Sequence, residues 1–170
     1  RIRMLPADGA EPVPSMIVPL RSRMSCIGKP SILRPMGDRL SGKVAVITGA
    51  ARSIGAEMAR VFAAEGAAVV VADILEELAE SVAAEIRGAG GQAVAVAADI
   101  SSAAQAGRIF ELAAERFGGL DVLVNNAMYA EGDASIVDLD EAVWDRTIDV
   151  TLKGPFLCTR RALPMMKERG

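Results

Sequence analysis

The sequence predicts an α/β fold with a doubly wound parallel sheet. Short segments rich in Val, Ala and Ile alternate with helical segments of about a dozen residues, as they do in βαβ units. The chain is 51% hydrophobic but only 4% aromatic, a composition typical of a parallel sheet that is buried on both faces. The first apolar segment runs directly into a glycine-containing turn, Gly49–Gly55, which opens a helix.

The overall composition excludes several classes of function. The 170 residues are enough for one domain. The formal net charge of −3 provides no basic surface, and no apolar run approaches the ~20 residues of a membrane span, so we expect no nucleic-acid or membrane partner. The absence of histidine excludes a Ser-His-Asp triad, a Cys-His pair and a His-based metal site, and we expect no metal. Cys26 and Cys158 fit a reducing compartment, so we expect a cytoplasmic protein.

The N-terminal segment differs from the rest of the chain. Residues 1–35 are rich in Arg and hold most of the eight prolines, which forbid a long helix. We predict that residues 1–37 form a disordered Pro/Arg-rich extension and that residues 38–170 form the ordered domain. A read-through product or a misassigned start, with Met36 as the natural first residue, accounts best for the extension. An organelle transit peptide is the alternative.

The first strand and helix are predicted at residues 44–48 and 54–64. The strand is a short, continuous apolar run, as expected for a strand buried in a parallel sheet. The helix has apolar residues at helical spacing and ends at Gly66. The residues that we expect to share its apolar face are Ile54, Met58, Val61 and Phe62.

The next segments repeat this alternation. A strand at 68–73 leads to a helix at 76–87, and a strand at 93–98 leads to a helix at 103–117. Glycine residues follow both helices and end them. The apolar residues expected on one face are Leu78, Val82 and Ile86 in the first of these helices, and Ile109, Phe110, Ala113 and Phe117 in the second.

A fourth strand, predicted at residues 121–125, is followed by a longer helical region. This region starts near Asp138, where Asp138 and Glu141 can form a capping box. It runs past Trp144 toward Met166.

The turn between the first strand and helix is predicted to bind a diphosphate. Unpaired backbone N–H groups and the helix dipole at a helix N-terminus favour negative charge. Gly49 can adopt the tight turn, and Gly55 lets the helix lie close against the strand. A plain strand-to-helix loop is the alternative, because a glycine turn alone is a weak signal.

An acidic residue, Asp73, ends the second strand 18 residues after Gly55. This is near the spacing at which an acid accepts hydrogen bonds from an adenosine ribose. Its charge would repel a 2′-phosphate, so NAD is favoured over NADP. Arg52, in the turn, could attract that phosphate and keeps NADP as the lesser alternative. A solvated Asp at a strand end is the other interpretation.

Polar residues also end the third and fourth strands. Asp99 can accept a hydrogen bond from an adenine amino group, or it can cap the helix that follows. Asn125 and Asn126 offer amide donors and acceptors that can tie neighbouring strands and hold a ribose, although a plain turn would also tolerate them.

Together these motifs resemble the short-chain dehydrogenase/reductase family. The matching segments are Thr48–Gly55, Asp73, Asp99-Ile100, Asp121–Ala127 and Leu152–Phe156, in the family's order and spacing over about residues 38–170. The resemblance implies a Rossmann fold with strand order 3-2-1-4, a nicotinamide cofactor and hydride transfer between a small-molecule alcohol and a ketone. It also implies a homo-oligomer for the complete enzyme. The residues that it implies for cofactor binding are Gly49, Arg52, Ser53, Ile54, Gly55, Asp73, Asp99, Ile100, Asn126 and Ala127.

The chain departs from the family pattern at three positions. Ser53 stands where the family has the middle glycine of its turn, and Met128 replaces a glycine after Asn-Asn-Ala. Thr151 stands at the position of a catalytic Asn that anchors a water in a proton relay. Thr151 can keep the backbone contact and offers a hydroxyl, so the resemblance assigns it to catalysis.

The family's proton donor has no counterpart in this sequence. That donor is a Tyr whose pKa is lowered by a Lys four residues later, with a Ser upstream. Tyr129 instead has Asp133 at this distance, and a carboxylate there would raise the phenol pKa. The sequence reaches Gly170 where the family's fifth strand and Tyr-x-x-x-Lys motif would begin, so we predict a sheet truncated after its fourth strand and the following helix. We therefore expect an incomplete oxidoreductase that is inactive alone, with a non-catalytic NAD-binding module as the alternative.

Overall fold

The computed structural model describes residue 37, residues 39–129 and residues 135–170. The extension that we predict to be disordered, residues 1–37, lies outside the described residues except for Gly37.

Four parallel strands form one sheet. They are β1 (Val44–Thr48), β2 (Ala68–Asp73), β3 (Gln92–Ala97) and β4 (Val122–Val124), and their order is β3-β2-β1-β4. The predicted order is therefore confirmed. Ile47 of β1 pairs with Val71 of β2 on one side and with Val124 of β4 on the other. The chain adds β2 and β3 on one side of β1 and then adds β4 on the other side. This change of direction opens a crevice at the carboxyl ends of β1 and β4.

Helices cover both faces of the sheet. The helices α1 (Ser53–Ala64) and α2 (Glu76–Gly88) pack on the face that carries Ile47, Val69 and Val71. The helices α3 (Ala103–Phe117) and α5 (Gly154–Arg169) pack on the face that carries Val46 and Val70. Because successive side chains of a strand point to opposite faces, burial on both faces explains why all five residues of β1 are apolar or paired.

The face through which the helix α1 meets the sheet agrees with the prediction only in part. Ile54 is 72% exposed and Val61 is 42% exposed, while Met58 and Phe62 are partly buried. The buried residues are instead small: Gly55, Ala56, Ala59 and Ala63. Small side chains let the helix axis approach the sheet closely, so packing distance and not hydropathy selects this face. A similar difference affects Leu78 of α2, which is exposed.

A nearly continuous helical run follows β4. It consists of α4 (Glu141–Ile148), a π-helical turn (Asp149–Lys153) and α5. The predicted capping residue is wrong by two positions, because the side chain of Asp140, not Asp138, accepts a hydrogen bond from the Ala142 backbone at 2.8 Å. In the part of the chain that the structure describes, no helix is both long and apolar enough to cross a membrane.

Candidate functional site

A groove of about 480 Å³ lies at the carboxyl ends of the strands. Its volume is within the range of small-molecule sites. All of the residues predicted to bind the cofactor line it: Gly49, Arg52, Ser53, Ile54, Gly55, Asp73, Asp99, Ile100, Asn126 and Ala127. Met128, Tyr129 and Arg146 contribute to the same lining. The topology therefore brings residues as far apart in sequence as Gly49 and Arg146 into one concave surface.

Thr48 and Asn126 connect β1 to β4 next to the groove, which Asn126 lines. The Thr48 hydroxyl is fully buried; it donates to the Val124 carbonyl at 3.3 Å and accepts from the backbone N–H groups of Asn126 and Ala127 at 3.1 and 3.2 Å. The Asn126 side-chain Nδ2 donates to the carbonyls of Thr48 and Gly49, at 3.0 Å each. Asn126 thus ties neighbouring strands, as predicted, and holds the glycine turn in place.

Two glycines give the turn a shape that other residues could not adopt. Gly49 has φ +65°, and a Cβ there would lie 2.7 Å from the Ala127 Cα. A Cβ on Gly55 would overlap the Gly49 carbonyl oxygen and lie 2.7 Å from the Asn126 Nδ2. The absence of both Cβ atoms therefore leaves room for the backbone of the turn to pack against β4 and for α1 to start close to β1.

Ser53 adopts a backbone conformation that favours glycine. Its φ is +50°, and among the described residues it is the one non-glycine residue with a positive φ. The left-handed region costs a residue with a Cβ about 1–2 kcal/mol. This backbone geometry explains in physical terms why a glycine would suit the position that Ser53 occupies in the resemblance.

Asp73 links the end of β2 to the glycine turn. Its Oδ2 accepts from the Ala51 backbone N–H at 3.0 Å, and its Oδ1 accepts from the Leu75 backbone N–H at 3.0 Å. Each carboxylate oxygen has a second lone pair, so both can accept a further hydrogen bond from a ligand hydroxyl. Arg52, next to this turn, has an exposed side chain.

Asp99 forms a hydrogen-bonded ring with two other side chains, Ser101 and Arg146. Its Oδ1 accepts from the Ser101 hydroxyl at 2.7 Å, and its Oδ2 accepts from Arg146 Nη2 at 2.8 Å. Arg146 Nη1 closes the ring by donating to the Ser101 hydroxyl oxygen at 2.8 Å. Partial burial alone would raise the pKa of the Asp99 carboxyl, but the hydrogen bonds from Ser101 and Arg146 outweigh it and hold that pKa below its ordinary value. Asp99 is therefore an ionised acceptor at neutral pH.

The alternative role predicted for Asp99, capping α3, is not observed. The residue that caps α3 is Ser102, whose side chain accepts from the Gln105 backbone N–H. Asp99 lies three residues before this N-cap.

Thr151 lies beside the groove without lining it. The residue is exposed in the π-helical turn, and its hydroxyl accepts from the Tyr129 backbone N–H at 3.5 Å. The Tyr129 ring in turn lies 5.8 Å from the Arg146 guanidinium carbon. Asp133, which the sequence places four residues after Tyr129, is outside the described residues. Within those residues, no group of three or more His, Cys, Asp or Glu side chains could hold a metal ion.

Sequence reasoning assigned no role of their own to two residues that shape the site, Thr48 and Arg146. A polar residue at the end of an otherwise apolar strand was a usable signal for Thr48, because a buried hydroxyl needs partners. No comparable signal marks Arg146, since its partner Asp99 is 47 residues away.

Comparisons with known proteins place this geometry in a family. A family model described as short chain dehydrogenase matches residues 43–170. The cis-4-hydroxycyclohexanecarboxylate dehydrogenase of Sinomonas cyclohexanicum is 44% identical over 135 residues, which cover 79% of this chain and 54% of that relative. The 3-alpha-(or 20-beta)-hydroxysteroid dehydrogenase of Mycobacterium bovis is also 44% identical over 135 residues, covering 79% of this chain and 50% of the relative.

A solved structure agrees with these sequence matches. The crystal structure of a short chain dehydrogenase from Mycobacterium avium is 41% identical to this chain, with a TM-score of 0.71. The match covers 77% of this chain and 49% of that one. The chain thus spans about half the length of the curated relatives that it matches. The family model, the relatives and the parallel sheet with its lined groove lead to one conclusion: this chain belongs to the short-chain dehydrogenase family.

Proposed function

We propose that the groove binds NAD and that the whole protein transfers a hydride between this cofactor and a small-molecule alcohol or ketone. The observation that carries the proposal is the turn Gly49–Gly55, which is free of Cβ atoms at two points of close approach and opens onto the groove. NAD, when bound, accepts or supplies the hydride.

The start of α1 supports the diphosphate part of this proposal. The first N–H groups of a helix have no partner within the helix, and the helix dipole favours an anion beside them. Arg52 stands at the N-cap position, and its side chain makes no capping hydrogen bond. The first turn of α1 contains no acidic residue that would repel a phosphate. The backbone donors of Ser53 and Ile54 are therefore suited to hold a diphosphate.

The carboxylate of Asp73 supports the choice of NAD. It is held toward the turn by the Ala51 N–H and keeps a lone pair on each oxygen for ribose hydroxyls. The same negative charge would repel the 2′-phosphate of NADP. Arg52 is the cation that could offset this repulsion, so NADP stays the weaker ligand in the proposal.

The substrate class and the role of Thr151 are proposals about the activity of the whole protein. The two relatives described above are named for a hydroxycyclohexanecarboxylate and a hydroxysteroid, so we propose a secondary alcohol of a carbocyclic compound, or its ketone, as the substrate class. Thr151 would take the position of the family's relay residue and anchor a water through its hydroxyl or backbone. The exposed apolar residues of the last helical run, among them Leu152, Phe156 and Leu163, support a homo-oligomer.

A calorimetric titration of the chain with NAD and with NADP tests the cofactor proposal. Asp73→Ala should weaken NAD binding about tenfold or more, because hydrogen bonds to a charged group contribute about 1.5–3 kcal/mol. The preference for NAD over NADP should shrink, since the repelling charge is removed. Asp73→Asn serves as the milder variant, because it keeps an acceptor for the Ala51 N–H while removing the charge.

Glu115→Ala, on the exposed side of α3, is the control and should leave both affinities unchanged. An unchanged preference in both Asp73 variants would refute the role of Asp73. No binding of either dinucleotide at millimolar concentration would refute the proposed use of the groove. Binding without turnover by a chain that includes the remaining half of the family domain would favour the alternative, a non-catalytic NAD-binding module.

A further inference from the structure

The ring of Asp99, Ser101 and Arg146 joins two distant parts of the chain at one end of the groove. Asp99 and Ser101 follow β3, whereas Arg146 belongs to α4. No residue of α4 is fully buried, although Val143, Arg146 and Thr147 are partly buried. Arg146 contacts both Ser101 and Asp99 through its two terminal nitrogens, each at 2.8 Å. Among the described residues, this side chain therefore connects α4 to the end of β3 by two hydrogen bonds.

The hydrogen bonds of this ring determine where Asp99 can accept a ligand. An ionised carboxylate has about four lone-pair positions. Among the described residues, the Ser101 backbone N–H at 2.9 Å and the Ser101 hydroxyl at 2.7 Å occupy Oδ1, and Arg146 occupies one position on Oδ2. One acceptor position is left, and it lies on Oδ2, the oxygen that Arg146 holds.

Resting on the proposed function, we infer that Arg146 is a positioning residue: it orients Asp99 so that Oδ2 accepts one hydrogen bond from the exocyclic amino group of adenine. It thereby gives the groove a preference for adenine over hypoxanthine. Hypoxanthine has a carbonyl oxygen where adenine has the amino group, and a carboxylate repels that oxygen. The preference depends on the direction of the carboxylate, because a freely rotating carboxylate could turn its lone pairs away.

Two features of the surroundings support a fixed orientation. Arg146 is restrained on its other side by the Tyr129 ring, 5.8 Å from its guanidinium carbon, a geometry that favours a cation–π contact. The planar guanidinium also donates in two directions at once, which a Lys ammonium cannot do in the same rigid geometry. Ser101 completes the restraint by accepting from Arg146 while donating to Asp99.

The test compares the affinities of NAD and nicotinamide hypoxanthine dinucleotide for the full chain by calorimetry. The unchanged protein should prefer NAD by roughly tenfold, the value of one hydrogen bond to a charged acceptor. In Arg146→Ala this ratio should fall close to one. Arg146→Lys should give an intermediate ratio, and Ser101→Ala should also lower it because one of the restraints on Asp99 is lost.

Arg160→Ala is the matched control. Arg160 is an exposed arginine that stacks 5.3 Å from the Phe156 ring on α5, outside the groove, so its removal should leave the ratio unchanged. Thermal unfolding of each variant identifies any that do not fold. If Arg146→Ala does not fold, the affinity ratios of Arg146→Lys and Ser101→Ala provide the test.

The results separate this inference from the proposed function. Failure of the unchanged protein to bind NAD would overturn the proposed function and the inference together. NAD binding with no preference over the hypoxanthine analogue, or a preference that survives in all three variants, would overturn the inference alone. Tighter NAD binding by Arg146→Ala would also overturn it, because Arg146 would then compete with the ligand for Asp99.

Discussion

Replacing Gly55 by Ala is the perturbation for which the structure gives the clearest expectation. The added Cβ would overlap the Gly49 carbonyl oxygen and lie 2.7 Å from the Asn126 Nδ2 and 2.9 Å from the Ala50 Cα. Two of these three neighbours are backbone atoms of the turn, which cannot rotate away as a flexible side chain can. Either α1 must move away from the sheet or the turn must change its shape.

The expected loss of stability follows from these contacts. Overpacking a tightly packed site typically costs about 1–3 kcal/mol. The displaced Asn126 amide also risks its bonds to the Thr48 and Gly49 carbonyls, each contributing a net of about 0.5–1.5 kcal/mol. If both bonds are lost, we expect Gly55→Ala to lower the free energy of unfolding by about 2–6 kcal/mol. The diphosphate site should also be weakened, since it is built on the same turn.

Urea unfolding followed by circular dichroism measures this loss. Gly88→Ala is the matched control, because a Cβ on this last residue of α2 meets nothing within 4 Å. The higher helix propensity of Ala should change the stability of the control by no more than about 1 kcal/mol, in the stabilising direction. If Gly55→Ala loses less than about 0.5 kcal/mol, the close approach of α1 to β1 is not what requires glycine here, and the reasoning fails.

Three further predictions concern single residues. Ser53→Gly should raise the free energy of unfolding by about 0.5 kcal/mol, because relief of the positive φ exceeds the entropy that a glycine adds to the unfolded chain. A loss of stability in urea titration would contradict this expectation. Thr48→Val should cost about 1–3 kcal/mol, since the buried hydroxyl bonded to Asn126 and Ala127 disappears; a change near zero would mean that these bonds contribute nothing. Burial alone would raise the pKa of Asp121, but hydrogen bonds to the Val44 N–H, Lys43 and Arg169 lower it. Its stabilisation should therefore be complete above the unfolded-chain pKa of about 3.9 and be lost as the pH falls through the lower folded value. Asp121→Asn should accordingly lose stability at pH 7, and this loss should shrink as the pH falls below about 3.9.

Local sequence signals were sufficient for the backbone elements. The bounds of β1, β2 and α3 agree with the prediction residue for residue, because continuous apolar runs and glycine stops act over short distances. The π-helical turn at Asp149–Lys153 was not predicted, and no local pattern in the sequence marks it. The sheet-facing side of α1 was predicted correctly for Met58 and Phe62 but wrongly for Ile54 and Val61, because the spacing between helix and sheet is a tertiary property that favours small residues over larger apolar ones.

In the candidate site, too, some features could be predicted from the sequence and others depend on tertiary contacts. The predicted cofactor residues lie together because parallel strands end at one edge of the sheet, a consequence of topology that a sequence pattern can anticipate. Their roles in binding stay predictions. The ring around Asp99 could not be anticipated, because it depends on where α4 places Arg146, and the sequence between β4 and α4 has no regular pattern. Asn126 ties the strands together through its backbone and side chain and also lines the groove, and its role in holding a ribose stays a prediction.

If the groove at the carboxyl ends of β1, β2 and β4 holds the dinucleotide, NAD must perturb the residues that line it. Addition of NAD to the ¹⁵N-labelled chain, followed by amide chemical-shift changes in solution, measures this perturbation. We expect saturable shifts that are concentrated in residues 49–55, at Asp73 and at residues 99–100 and 126–127. Shifts that are absent at millimolar NAD, or that cluster on helix surfaces away from these residues, would contradict it.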